Sequence, residues 1–112
     1  MRFRRALDRG NLTEALSAAS ELQHVGLAEA LELCLLMRDK APARFSRAAL
    51  RWHGRFCREV DVSVEEAQAV LAALVLLAGE RKRNAAFALA ELLSRRGMER
   101  LCEALVAWAR EV

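Results

Sequence analysis

Five arginines recur in one short stretch of the chain, ARFSRAALRWHGRFCRE, which contains no acidic residue before its last position. A guanidinium carries several N–H donors in a rigid planar fork, which suits it to binding carboxylates and phosphates. On a helix, at about 100° per residue, the five side chains fall within an arc of about 80°. The sequence therefore predicts a cationic helix face, here called the arginine face: Arg44, Arg47, Arg51, Arg55 and Arg58.

Three interpretations of the arginine face are open at the level of sequence. Exposed helices usually mix charges, because like charges one turn apart repel by a few tenths of a kcal/mol. The first interpretation is that acids on neighbouring helices neutralise the arginine face. Residues 11–37 hold four glutamates and no lysine or arginine: Glu14, Glu21, Glu29 and Glu32. The other two interpretations are that the face binds an acidic protein segment, or that it binds the phosphates of a nucleic acid.

Two further residues of the stretch have ambiguous roles. Trp52 falls at the border between the arginine face and the apolar arc of the helix. It either stacks on an arginine as part of a partner-binding site, or packs half-buried against the core. Gly54 costs a helix interior about 1 kcal/mol relative to alanine. It indicates either a kink or the close approach of another helix.

Residues for catalysis or metal binding are few. His53 and Cys57 are one helical turn apart, which suits two ligands of a zinc ion. His24, Cys34 and Cys102 supply no second closely spaced pair. The chain contains no nucleophile elbow, phosphate-binding loop, dinucleotide glycine motif or HExxH motif. We therefore expect no catalytic residue, no cofactor and no metal site, and the chain is predicted not to be an enzyme.

A second basic cluster, ERKRN, lies between Gly79 and Asn84. Cations are favourable near the C-terminus of a helix and unfavourable near the N-terminus. Arg81, Lys82 and Arg83 are therefore expected to interact with the carbonyl groups of the preceding helix. The alternative is an anion site at the N-terminus of the following helix.

The elements that position these residues are all predicted to be helices, since apolar residues recur at steps of three and four throughout. Gly, Pro and capping residues divide the chain into helices over residues 2–9, 12–23, 27–39, 42 onward, 64–78, 84–96 and 98–111. Two capping boxes are expected, at Asn11 with Glu14 and at Ser63 with Glu66. Asn84 is expected to cap the sixth helix. Short connections favour an all-α bundle of six to seven helices, stacked as antiparallel hairpins.

The apolar pattern also predicts which helices lie inside the fold. The stretch AQAVLAALVLLA, residues 67–78, is apolar on nearly every side, so its helix is expected at the centre. Four residues are expected to be fully buried: Leu71, Leu74, Leu77 and Phe87. The last helix has a single apolar stripe, from Met98 through Leu105 and Trp108 to Val112, and should cover one side of the core.

Length and composition bound the class of protein. A chain of 112 residues makes one domain, residues 1–112, and 54% hydrophobic with 29% charged residues indicates a globular fold. The net charge of +3 is too small to imply nucleic-acid binding by itself. Sixteen of the eighteen basic residues are arginine, which suggests a GC-rich bacterial gene. The sequence predicts no secretory signal and no membrane-spanning segment, and three widely spaced cysteines suggest free thiols in a cytoplasmic protein.

One segment resembles a known class of repeats. RALDRGNLTEALSAASEL is similar to the join between the two helices of a tetratricopeptide repeat, and GLAEALELCLLM repeats the pattern about fifteen residues later. The resemblance covers residues 5–40, and the 34-residue period is not maintained. The whole chain also resembles small helical proteins of actinobacteria. These resemblances imply a helical-hairpin fold and no particular activity.

We therefore expect a non-catalytic protein–protein interaction module, a small helical adaptor or regulatory scaffold. Its partner is expected to be an acidic protein or peptide segment, bound by the arginine face and Trp52 in a groove between helices that the arginine face lines. The alternative function is nucleic-acid binding through the same arginines. A membrane partner is not expected, and a homodimer stays open.

Overall fold

The computed structural model describes residues 2–112, which form seven α-helices and no strand. The helices are α1 (Arg2–Arg9), α2 (Leu12–Ser20), α3 (Leu27–Lys40), α4 (Pro42–Glu59), α5 (Val64–Leu77), α6 (Lys82–Ser94) and α7 (Glu99–Glu111). The predicted all-α fold is confirmed, and each predicted helix end lies within about three residues of the observed one. None of the helices described has both the length and the apolar composition needed to cross a bilayer.

Side-chain caps begin two of the helices where the sequence predicts them. The Ser63 hydroxyl accepts a hydrogen bond from the Glu66 backbone N–H at 3.1 Å, and the Glu66 carboxylate accepts one from the Ser63 N–H at 3.0 Å. The backbone hydrogen bond from Ser63 holds the pKa of the Glu66 carboxyl below its usual value. Asn11 also caps α2, by accepting from the Glu14 N–H at 3.1 Å. The Glu14 carboxylate, however, pairs with Arg9 at 2.7 Å, so the second capping box is incomplete.

The connection between α5 and α6 differs from the prediction. Helix α6 begins at Lys82, so Asn84 lies inside its first turn and does not cap it. Arg83 donates to the Ala109 carbonyl in the last turn of α7, at 3.1 Å, and not to the preceding helix. The carbonyl groups at the end of α5 instead accept hydrogen bonds from Arg38 of α3. Both α5 and α7 thus receive a cation at the C-terminus, where the helix dipole favours one, but from arginines distant in sequence.

The central helix of the fold is α3, which corrects the expectation for α5. Within residues 2–112, α3 packs against α1, α2, α4 and α7, whereas α5 packs against α4 and α6 alone. Helix α5 therefore keeps an uncovered side, on which Val75 and Leu76 are 65% and 56% exposed. Its buried side is made by Val70, Ala73, Leu74 and Leu77.

Of the four residues expected to be fully buried, two are buried and two are not. Leu74 and Leu77 are 2% and 0% exposed, as predicted. Leu71 is half-buried, and Phe87 is 42% exposed on α6, so the prediction is wrong for both. The last helix agrees with its prediction, because Leu105 and Trp108 of the apolar stripe are buried against the core.

The buried apolar side chains form two clusters. The main core extends from α3 to α7. A smaller cluster lies between α1 and α2 and contains Phe3, Ala6, Ala15 and Ala18. Leu33 of α3 packs against both clusters and connects them. The α1–α2 hairpin is therefore attached to the main core through α3.

Candidate functional site

Helix α4 presents the arginine face on one side and enters the core on the other. Pro42 occupies the first turn, where its missing N–H costs no helical hydrogen bond. Phe45 and Phe56 are each 1% exposed, and they fix the rotation of the helix about its axis. The opposite side is therefore directed outward, with Arg44, Arg47, Arg51 and Arg58 exposed and Arg55 half-buried.

The four glutamates expected to neutralise the arginine face are paired elsewhere. Each makes an ion pair with an arginine outside α4: Glu14 with Arg9 at 2.7 Å, Glu21 with Arg2 at 3.1 Å, Glu29 with Arg100 at 3.0 Å and Glu32 with Arg4 at 2.7 Å. Three of these partners belong to α1, which docks on α2 and α3 through them. The interpretation that these acids neutralise the arginine face is therefore wrong.

Most of the arginine face has no ion-pair partner within residues 2–112. Arg55 is the exception, since it pairs with Glu59 one turn later at 2.5 Å. The hydrogen bond from Arg55 holds the pKa of the Glu59 carboxyl below its usual value. Helix α4 carries five arginines and one glutamate, so its net charge exceeds the +3 of the whole chain. It is the most positively charged of the seven helices described.

Trp52 belongs to the core and not to the exposed site. It is 3% exposed, and its ring stacks on that of Phe56 with 5.3 Å between the ring centroids. Its indole N–H donates to the Leu27 carbonyl of α3 at 2.9 Å. With its faces and its N–H engaged inside the protein, Trp52 has no free surface for a partner.

Gly54 lies in an uninterrupted stretch of α4. A Cβ built on it would meet one neighbouring atom, Nη1 of Arg58 on the same helix, at the ordinary contact distance of 3.6 Å. No other helix approaches Gly54 closely, so the interpretation of Gly54 as a point of close helix approach is wrong.

The substitution Gly54→Ala is expected to stabilise the protein by about 0.5–1 kcal/mol, because alanine loses less backbone entropy on entering a helix. Urea unfolding followed by circular dichroism would measure the change. Gly97→Ala is the matched control: it also has room for a Cβ, but its φ of +74° strains an L residue, so it should destabilise. A loss of stability in Gly54→Ala would contradict the assignment of Gly54 as an unstrained helix residue.

An apolar groove runs between α4 and α5, next to the arginine face. It has a volume of about 240 Å³ and is lined by Phe45, Ser46, Ala49, Leu50, Leu71, Leu74, Val75 and Ala78. Phe45 and Leu74 form its buried floor, while Leu50 and Val75 are 62% and 65% exposed at its rim. Ser46 supplies the one polar side chain of the lining. A groove between helices was expected from the sequence, but its lining was not identified, because the lining depends on which sides of α4 and α5 face each other.

His53 and Cys57 lie at the α4–α5 contact, but their geometry is that of packing. The His53 Nε2 is 2.8 Å from the Ala67 carbonyl oxygen and donates to it. The Cys57 Sγ is nearly equidistant from the two ring nitrogens of His53, at 3.9 Å from Nδ1 and 3.7 Å from Nε2, and is directed at neither. Within residues 2–112, no three His, Cys, Asp or Glu side chains are grouped so as to hold a metal ion.

The three thiols differ in environment. Cys34 is buried, and Cys57 and Cys102 are half-buried. Burial raises the pKa of the Cys34 thiol to about 11, which the nearby positive charge of Arg51 offsets in part. Burial also raises the pKa of Cys102, with a smaller contribution from the neighbouring glutamates Glu99 and Glu103.

A variant that retains Cys34 alone is therefore expected to react with Ellman's reagent at pH 8 only when unfolded. At that pH, roughly one thiol in a thousand would be ionised, and the thiolate is the nucleophile. The matched variant retains Cys102 alone and should react faster under native conditions, since Cys102 is only half-buried. Equal native rates for the two variants would contradict the burial of Cys34.

A larger open cleft, of about 600 Å³, lies where the ends of α1, α3 and α7 meet the start of α6. Its lining includes four acids and three bases and no Ser, Thr, Cys or His. Trp108 forms part of its wall, donating from Nε1 to Asp39 at 2.9 Å, with the Lys82 ammonium 6.0 Å from its ring centroid. The mixed charges of this cleft favour no single class of ligand.

The chain has no match among protein-family models, curated proteins or solved structures. What the protein binds is therefore inferred from the charges and apolar side chains on its surface.

Proposed function

We propose that the protein is a non-catalytic protein–protein interaction module, a small helical adaptor or regulatory scaffold, that binds an acidic protein segment on the exposed side of α4. One observation carries the proposal. Four exposed arginines without an ion-pair partner in residues 2–112 share one face of α4, and the N-terminal half of that face adjoins an apolar groove. They are Arg44, Arg47, Arg51 and Arg58.

The charge arrangement supports a carboxylate-bearing partner. Arginines that already hold an acid, such as Arg55 with Glu59, must exchange one partner for another, whereas the four exposed ones need not. A guanidinium binds a carboxylate through two parallel hydrogen bonds. A solvent-exposed pair of this kind contributes about 0.2–1 kcal/mol. The arginines therefore select and orient the partner, and apolar contact in the groove supplies most of the affinity.

The same observations favour a protein over a nucleic acid. Proteins that hold single strands combine cations with exposed aromatic rings on which bases stack. The aromatic residues of α4, namely Phe45, Trp52 and Phe56, are at most 3% exposed and offer no such ring. An apolar groove also gains nothing from a phosphate backbone.

A competition between the two ligand classes tests the proposal. The peptide probe is a labelled peptide of glutamate, leucine and alanine in random order, here called the random-order peptide. It is titrated at physiological ionic strength alongside labelled duplex and single-stranded DNA. We expect the peptide to bind with an affinity that falls as salt rises. We expect DNA not to bind in the range of about 10⁻⁴–10⁻⁶ M that is typical of non-specific binding.

Charge reversal on α4 assigns the binding to the arginine face. Arg47→Glu with Arg51→Glu should weaken peptide binding by about tenfold or more, as two contacts are lost and two repulsions are added. The control is Arg5→Glu with Arg110→Glu. It changes the net charge equally on α1 and α7, which do not pack against α4 or α5. Tight DNA binding that the α4 reversal abolishes would overturn the proposal in favour of nucleic-acid binding.

A further inference from the structure

The groove beside the arginine face has charge along one wall only. On the α4 wall, Arg47 and Arg51 flank Leu50, which is itself part of the lining. They lie about 60° and 100° further round the helix from Leu50, away from the groove. On the α5 wall, residues 71–78 contain no charged residue. The acidic residues of α5, Glu65 and Glu66, are confined to its first turn.

This asymmetry defines what fits. We infer that the groove receives an amphipathic helix with apolar side chains on one face and carboxylates along the single flank that faces α4. The inference rests on the proposed function and specifies the conformation and pattern of the partner. Apolar anchors spaced by three and four residues enter between Leu50 and Val75, and the acidic flank reaches Arg47 and Arg51. The flank that faces α5 is uncharged.

The dimensions of the site agree with a helical occupant. The lining residues of α5, from Leu71 to Ala78, span about 10 Å, which equals about two turns of a second helix laid alongside. A groove of about 240 Å³ holds a few apolar side chains and is smaller than a typical site for a drug-sized ligand. The described residues contain no sheet edge to which an extended segment could add as a strand.

The exposed rim of the groove strengthens the inference. Leu50 and Val75 are 62% and 65% exposed on opposite walls, and the half-buried Leu71 belongs to the same lining. Large apolar side chains that line a concave surface mark interaction sites more often than scattered ones do. A partner helix that lies between α4 and α5 would cover Leu50 and Val75 together. None of the seven helices described covers them.

Two peptides of identical composition separate this inference from the proposed function. Each has about 16 residues, because shorter helices are marginal in water. The ordered peptide places its leucines on one helical face and its glutamates on one flank, and the random-order peptide has neither pattern. We expect the ordered peptide to bind about tenfold tighter or more, since its anchors enter the groove together.

Neutral substitutions at the rim test whether the groove is the site. Leu50→Ser with Val75→Ser removes two exposed apolar side chains without a change of charge. It should reduce the affinity for the ordered peptide to that for the random-order peptide. The matched control, Val64→Ser with Leu76→Ser, removes two side chains that are 71% and 56% exposed outside the groove lining and should leave both affinities unchanged.

The outcomes distinguish the two claims. If both peptides bind equally and the rim variant has no effect, the inference is overturned and the proposed function stands. If neither peptide binds, both are overturned. Light scattering of the protein alone tests whether a second copy of the chain occupies the groove. A dimer that the rim variant dissociates and the control does not would assign the groove to a second copy of the chain and overturn the inference.

Discussion

Replacing Trp52 by alanine is expected to lower the free energy of unfolding by about 3–5 kcal/mol, the range for removal of a buried aromatic side chain. The indole is 3% exposed, stacks on Phe56 and donates to the Leu27 carbonyl of α3. Its loss would leave a cavity between α4 and the central helix. Urea unfolding followed by circular dichroism measures the change. A loss below about 1 kcal/mol would instead indicate a surface tryptophan, as a partner-binding role requires.

The substitution Trp52→Phe separates the packing of the ring from its hydrogen bond. Phenylalanine retains most of the apolar contact with Phe56 and lacks the N–H that Leu27 accepts. The expected cost is about 1–2 kcal/mol, which combines one net hydrogen bond with the smaller ring. A Phe variant as unstable as the Ala variant would show that the hydrogen bond, and not the packing, holds α4 against α3.

Most of the helix boundaries were predictable, because their signals are local. Asn11 and Ser63 bond to backbone groups three residues away, and Pro42 acts within its own turn. Burial is not local in this sense. The sequence of α5 is apolar on nearly all sides, so no periodicity indicates which side its neighbours cover. Val75 and Leu76 stay exposed because two helices, and not four, pack against α5.

The candidate site was predictable to the same extent. The arginine face can be deduced from sequence, because its five side chains share one helix and their angular positions follow from spacing alone. The lack of neutralising partners for the arginine face cannot be deduced from sequence. Glu29 pairs with Arg100, which is 71 positions away, and this contact exists only because α3 and α7 meet in the fold.

The acids of α2 and α3 are engaged mainly by the other arginine-rich helix, α1. Helix α1 carries four arginines and packs against α2 and α3, where the acids lie. Its Arg4 holds Glu32 through two bonds of 2.7 and 2.8 Å, and Arg2 and Arg9 hold two more acids. Because α1 engages these acids, they do not neutralise the charge of α4.

The substitution Leu74→Ala is expected to cost about 2–5 kcal/mol of unfolding free energy, because Leu74 is 2% exposed at the junction of α4 and α5. Its removal adds a cavity beneath the floor of the groove, next to Phe45. Denaturant unfolding measures the loss. An unchanged midpoint would mean that α5 does not pack on α4 through this side.

The adjacent substitution Val75→Ala is the control, since it removes apolar atoms from the same turn of the same helix. Val75 is 65% exposed, so little contact is lost, and alanine is the better helix former. The expected change is within about 0.5 kcal/mol, the usual range for a surface substitution. A large gap between the two variants follows only if α5 has one buried and one uncovered side. Comparable losses at both positions would restore α5 as a helix buried on all sides, and would remove the exposed rim on which groove binding depends.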